Sequence, residues 1–79
     1  MSPTVLKIRG FRFFFFSREE ERMHIHVHCG DGEAKFWLEP EIQLAHNYSL
    51  SGSHLREIEQ LIKEHHHEFT NAWKNHFRT

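Results

Sequence analysis

Histidine alternates with an apolar residue through His24-Ile25-His26-Val27-His28-Cys29, and this stretch constrains the fold more than any other. A period of two is the signature of a β-strand. It sends His24, His26 and His28 to one face and Ile25, Val27 and Cys29 to the other. The apolar face demands a core. The histidine face demands water, a ligand, a metal or a partner, and function turns largely on which.

The neighbouring segments extend the same pattern. Gly30-Asp31-Gly32 is a strong hairpin signal. Residues 33–38 (EAKFWL) therefore return beside the histidine strand, with Phe36 and Leu38 facing away from Trp37. Upstream, residues 5–9 read as a first strand, Gly10 punctuates it, and residues 11–16 (FRFFFF) read as a second. Phe11, Phe13 and Phe15 point one way; Arg12, Phe14 and Phe16 point the other. A strand with large apolar groups on both sides calls for cover on both. Residues 17–22 (SREEER) read as a solvated connection, with Glu21 offering an acidic rim close to His24. Pro40 ends the return strand, because it cannot donate to a ladder. Residues 41–46 predict a last strand with Ile42 and Leu44 inward, a short helix being the alternative.

Beyond residue 50 the period changes. Ser51 is a good N-cap. Leu55, Ile58, Leu61, Ile62, Phe69, Ala72, Trp73 and Phe77 then recur at three- and four-residue steps, with His65 in the same stripe. The expected fold is α+β in a single domain over residues 1–79. Residues 1–50 form an antiparallel sheet of about five strands. Residues 51–78 form one long C-terminal helix packed on one face. Such a helix runs about 40 Å at 1.5 Å per residue, whereas strands of this length run roughly 20 Å. The overhang predicts packing on a second copy or another protein; a hinge at His65-His66-His67 is the competing explanation. The double-sided strands point to association as well. The expected interface is Phe13, Phe14, Phe15, Phe16, Trp37, Phe69, Trp73 and Phe77.

Composition sets the remaining bounds. The 79 residues carry a formal net charge of −1, which weighs against nonspecific nucleic-acid binding. The lone Cys29 excludes an intrachain disulfide framework and fits a reducing cytoplasm. No apolar run approaches the roughly 20 residues that span a bilayer, and Lys7, Arg9 and Arg12 interrupt any signal-peptide core.

The histidine face admits three kinds of chemistry. The first is metal binding. His24 and His26 stand about 7 Å apart along a strand, and His28 adds a third imidazole. Glu33 across the hairpin completes a tetrahedral set for zinc or another divalent transition metal. The second is phosphoryl chemistry. The alternation resembles the histidine-triad motif of nucleotide hydrolases and transferases, an analogy that makes His26 the nucleophile with His24 and His28 in support. The third is recognition by the sheet. Phe, Trp and His stack on bases while Arg9, Arg12, Arg18 and Arg22 hold phosphates, or the same aromatic surface receives a protein.

Much of the chain also resembles the small bacterial proteins grouped as family 4160 of the domains of unknown function. The matching pieces are Pro3-Thr4-Val5, Ile8-Arg9-Gly10-Phe11-Arg12 with the four phenylalanines and Ser17, and His24-Ile25-His26-Val27. They continue with Gly32-Glu33-Ala34-Lys35-Phe36-Trp37-Leu38, Leu55-Arg56-Glu57-Ile58, and Glu64-His65 through Ala72-Trp73. Against that family's pattern, Met23 replaces a proline, His54 replaces a capping glutamate, and His28 is particular to this chain. The resemblance therefore leaves His24 and His26 as the shared pair. It implies a gene neighbour encoding another small protein, in an arrangement resembling a toxin–antitoxin or regulator–partner pair. The function expected is a small cytoplasmic interaction or regulatory module. The metal or phosphate site at His24, His26 and His28 is the alternative.

Overall fold

The computed structural model describes residues 4–16 and 22–77. The chain runs β1 (Thr4–Ile8), β2 (Phe11–Phe14), β3 (His24–Cys29), β4 (Gly32–Trp37), β5 (Gln43–Tyr48), α1 (Gly52–Glu64) and α2 (His66–Phe77). The strands form one antiparallel sheet in sequence order, so every strand pairs with its neighbour in the chain. Local turn chemistry sets much of this meander. Arg9 and Gly10 both take positive φ (53° and 82°), the pattern of a two-residue type I′ loop between β1 and β2. Gly30 takes φ 58° at the first position of the β3–β4 loop. That two-residue loop opposes Cys29 to Gly32 and so dictates His26 opposite Lys35 and His24 opposite Trp37.

The alternation of residues 11–16 sorts as the pattern predicts. Phe11, Phe13 and Phe15 join Ile25, Val27, Ala34, Phe36 and Leu38 on the side covered by the helices. Ile58, Leu61 and Ile62 of α1 and Phe69 and Trp73 of α2 close that core. Phe13 meets Phe69 at 5.1 Å between ring centroids, and Phe15 meets Trp73 edge-on at 5.4 Å. Leu50 packs down onto Gly32, where a Cβ would lie 2.5 Å from its Cδ2.

The helical segment departs from expectation. The sheet is covered by two helices of 13 and 12 residues rather than one long helix. Ser51 caps α1 by accepting from the His54 N–H at 3.1 Å. The chain bends at His65, whose φ of −113° and ψ of 18° leave the helical region. Hydrogen bonding runs on through the bend, from His65 N–H to Leu61 C=O at 3.0 Å and from Phe69 N–H to His65 C=O at 2.9 Å. His66 fixes the new direction: its Nε2–H donates to the Leu38 carbonyl at 3.0 Å and lies 3.3 Å from Glu39. The physical reason is the length mismatch itself. Thirteen residues of helix cover about 20 Å, the length of the strands, and the bend then lays Phe69 and Trp73 over Phe13 and Phe15. The overhang expected from a straight helix is therefore not there; the hinge at the three histidines is.

The last strand also differs. β5 begins two residues later than predicted, and all six of its residues are exposed. Leu44 was expected inward, yet it is 43% exposed although it lies opposite the buried Phe36. The bulge between the Lys35–His46 and Phe36–Leu44 pairs bends β5. Ile42, just before the strand, does pack against the core.

Candidate functional site

The face of the sheet away from the helices is built from the alternate residues of each strand. Register places Lys7, Arg12, His28, Glu33 and Tyr48 in one row across it. A second row runs Thr4, Phe14, His26, Lys35 and His46. His24, Trp37 and Gln43 form a third. The sheet thus gathers flat rings at its centre and cations around them.

The rings tile closely. His26 stacks on Phe14 with centroids 5.5 Å apart, and Phe16 lies edge-on to His26 at 4.4 Å. His24 meets His26 at 5.1 Å and Trp37 at 5.7 Å, both edge-on. Trp73 of α2 reaches His24 at 5.1 Å, which joins this cluster to the core around the end of the sheet. His24 is fully buried and His26 is 8% exposed, while Phe16 remains 40% exposed. The His24 Nδ1 lies 2.7 Å from the Arg22 carbonyl. A carbonyl only accepts, so Nδ1 carries the proton of that bond. The imidazole is thereby held in one tautomer, with its chain entry pinned.

Cations lie over the rings. The Arg12 guanidinium sits 4.5 Å from the Phe14 centroid. Arg22 and Lys35 both approach the Trp37 ring, at 4.2 and 4.6 Å. Charge and ring quadrupole attract in this geometry, and the long aliphatic stems cover ring edges that water would otherwise touch. Arg22 also donates from Nε to the Glu39 carbonyl at 3.0 Å, which ties the entry of β3 to the exit of β4.

The four residues expected to ligate a metal are spread over this face. His24 lies at its buried end, His26 sits at its centre opposite Lys35, and His28 is exposed opposite Glu33. Among the described residues no three His, Cys, Asp or Glu side chains form a group that could hold an ion. Cys29 faces the helix side, where it packs against the core. The three consecutive histidines of the bend diverge: His65 pairs with Glu68 at 3.0 Å, His66 with Leu38 and Glu39, and His67 with Asn71 at 3.1 Å. The acidic rim expected from Glu21, and the phosphate contact expected from Arg18, lie outside the described residues.

The interface candidates divide by burial. Phe13, Phe14, Phe15, Phe69 and Trp73 are buried within the chain itself, so its own fold accounts for them. Trp37 and Phe77 are half-buried, and Phe16 is exposed. Leu44 and Tyr48 of β5, the latter 65% exposed, were not anticipated as surface groups. The sequence held a usable signal for Lys35 over Trp37, since both alternate onto the histidine face from the hairpin register. It held none for Arg22, which arrives through a loop.

The family described as "Domain of unknown function (DUF4160)" matches residues 10–74, from the first hairpin turn through most of α2. The chain belongs to the DUF4160 family. No curated protein and no solved structure matches it. The matched span of this DUF4160 chain contains the whole ring cluster, including Phe14, Phe16, His24, His26 and Trp37. No helix among the described residues is long and apolar enough to cross a membrane.

Proposed function

We propose that this chain is a small protein-interaction module, and that a second copy of itself pairs along the β5 edge. The observation that carries this reading is the exposure of every residue of β5, with Leu44 and Tyr48 open to solvent. An edge strand presents unpaired backbone donors and acceptors, a template for strand addition. Natural guards against such pairing are charged side chains and proline, and Gln43–Tyr48 (QLAHNY) contains no Lys, Arg, Asp, Glu or Pro. A strand without those charges meets its own copy without like charges opposed across the two-fold axis. The opposite edge differs: Val5, Leu6 and Ile8 of β1 already pack against the core.

Analytical ultracentrifugation of the full chain tests this. A dimer in the micromolar range is expected. Leu44→Lys with Tyr48→Lys should return a monomer whose thermal melt is little changed, because both side chains are exposed. A wild-type monomer at 100-fold higher concentration overturns self-association, and a dimer indifferent to both lysines overturns the β5 location.

A further inference from the structure

We propose, resting on the reading that β5 meets its own copy, that His46 makes this pairing depend on pH: the dimer closes when the imidazole is neutral and opens when it is protonated. Gln43–Tyr48 (QLAHNY) carries no Lys, Arg, Asp or Glu. Its ionisable side chains are His46 and Tyr48, and a tyrosine never carries positive charge. Histidine is the side-chain type whose charge ordinarily changes between pH 5 and 8. Charged side chains on an edge strand are what natural sheets use to prevent pairing with another chain. β5 therefore has a conditional guard, positive in mild acid and uncharged in mild base. His46 is exposed, as is every residue of the strand, so its charge stands on the open edge.

Symmetry decides what His46 meets. Antiparallel strands related by a two-fold axis place one residue opposite its own copy, and the others pair symmetrically about it. The axis stands perpendicular to the sheet, so each residue and its copy lie on the same face. The fullest overlap of a six-residue strand centres on Ala45 or His46. Centred on His46, the two imidazoles are directly opposed, with Cβ atoms about 4.5–5.5 Å apart; centred on Ala45, they are diagonal neighbours at about 7–8 Å. Both separations fall within the Debye length of roughly 8–10 Å at ordinary salt. On the strand packed beside β5, Lys35 lies opposite His46, and Glu33 lies two residues along, opposite Tyr48. Lys35 has further contacts within its own chain. Both groups accompany His46 in the monomer and the dimer alike. The charge that assembly newly brings beside His46 is that of its copy. Protons bound by the two imidazoles thus oppose assembly rather than the fold of either chain, and pairing strengthens as pH rises.

The experiment is sedimentation equilibrium of the full chain at pH 8 and pH 5.5, at equal ionic strength. Two like charges at these separations repel by an amount between the limits for bulk water and for a protein surface, so the dimer dissociation constant should rise about tenfold from pH 8 to pH 5.5. Salt at 1 M should erase most of that rise. His46→Gln keeps a polar side chain that takes no proton. It should dimerise as wild type does at pH 8 and hold that affinity at pH 5.5. His46→Lys carries the charge at both pH values and should pair weakly at both. A wild-type dimer of equal affinity at the two pH values overturns the proposed role of His46 and leaves self-association standing. A loss in acid that His46→Gln shares overturns it as well, because the effect then belongs to other histidines or to loss of the fold. A wild type that is monomeric at pH 8 at every concentration removes the β5 pairing itself, and the role of His46 with it.

Discussion

The two faces of the sheet come from the same strands and are closed in different ways. Beneath the helices, Phe13, Ile25, Val27 and Phe36 meet Ile58, Leu61, Ile62 and Phe69 in an apolar layer. On the other side, His24 and His26 are buried among Phe14, Phe16 and Trp37, with Arg12, Arg22 and Lys35 lying over the rings. One face is shut by a second layer of the chain. The other hides much of its centre beneath its own long side chains. Among the described residues, then, His24 and His26 are enclosed by neighbouring rings and by long side chains rather than by a packed helix layer alone.

The sharpest way to break this comparison is to cut one phenylalanine from each face. Phe13 is 0% exposed and Phe14 is 4% exposed, so burial alone ranks them as near equals. Phe13→Ala leaves a void between two rigid layers and should cost about 3–5 kcal/mol. That is most of what holds a small domain folded, so the variant should lose its cooperative urea transition or show it at a much lower midpoint. Phe14→Ala leaves a gap that Arg12 and Phe16 can fill, and its midpoint should fall distinctly less. Equal losses would mean that the outer face is packed as tightly as the inner one.

The inner face was legible in the sequence, and the outer one only half so. Period-two alternation grouped Phe11 with Phe13 and Phe15, Ile25 with Val27, and Phe36 with Leu38, and left open which side of each aromatic strand met the core; the structure buries all seven together. The Gly30-Asp31-Gly32 signal placed the return strand beside the histidine strand, while the order of the remaining strands was open and the register came from the loop geometry. Leu44 escaped the same logic because alternation records what a strand offers, not how far the covering helices extend across the sheet. The bend at His65 had no proline or glycine to announce it. It is imposed by tertiary contacts, the His66 bond to Leu38 and the packing of Phe69 and Trp73, none of which is local. On the outer face, alternation gathered the histidines but could not say what would lie over them. Phe14, His24 and His26 are buried on that face, and among the described residues the exposed large hydrophobic groups are Phe16, Leu44 and Tyr48.

A smaller effect sharpens the comparison at the seam between the faces. His24 is wholly buried, touches Trp73 from the core and Trp37 from the outer face, and bonds the Arg22 carbonyl at 2.7 Å. His24→Phe keeps a ring in that space and removes the donor. Leaving a carbonyl without this partner should cost about 1–3 kcal/mol. Thermal unfolding followed by tryptophan fluorescence reads the loss, since the indoles of Trp37 and Trp73 both contact residue 24. A variant as stable as wild type would show that shape alone holds this seam, and that the hydrogen bond contributes nothing net.

The smallest effect isolates what the cations add to the outer face. Arg22 and Lys35 share the Trp37 ring, and each contact is worth about 0.5–1 kcal/mol at a partly exposed site. Met in either position keeps much of the stem and removes the charge. Two like charges near one ring also repel each other, so each single substitution relieves some repulsion while losing its own attraction. The double variant Arg22→Met with Lys35→Met loses both attractions but relieves that repulsion only once. Its loss in urea should therefore exceed the sum of the two single losses, by a few tenths of a kcal/mol at low salt. The excess should shrink as salt screens the pair over distances near the Debye length. Strict additivity at every salt concentration would mean that the two cations do not sense each other through Trp37. The ring would then be covered by stems rather than held by charge, and the outer face would owe its burial to hydrophobic contact as the inner one does.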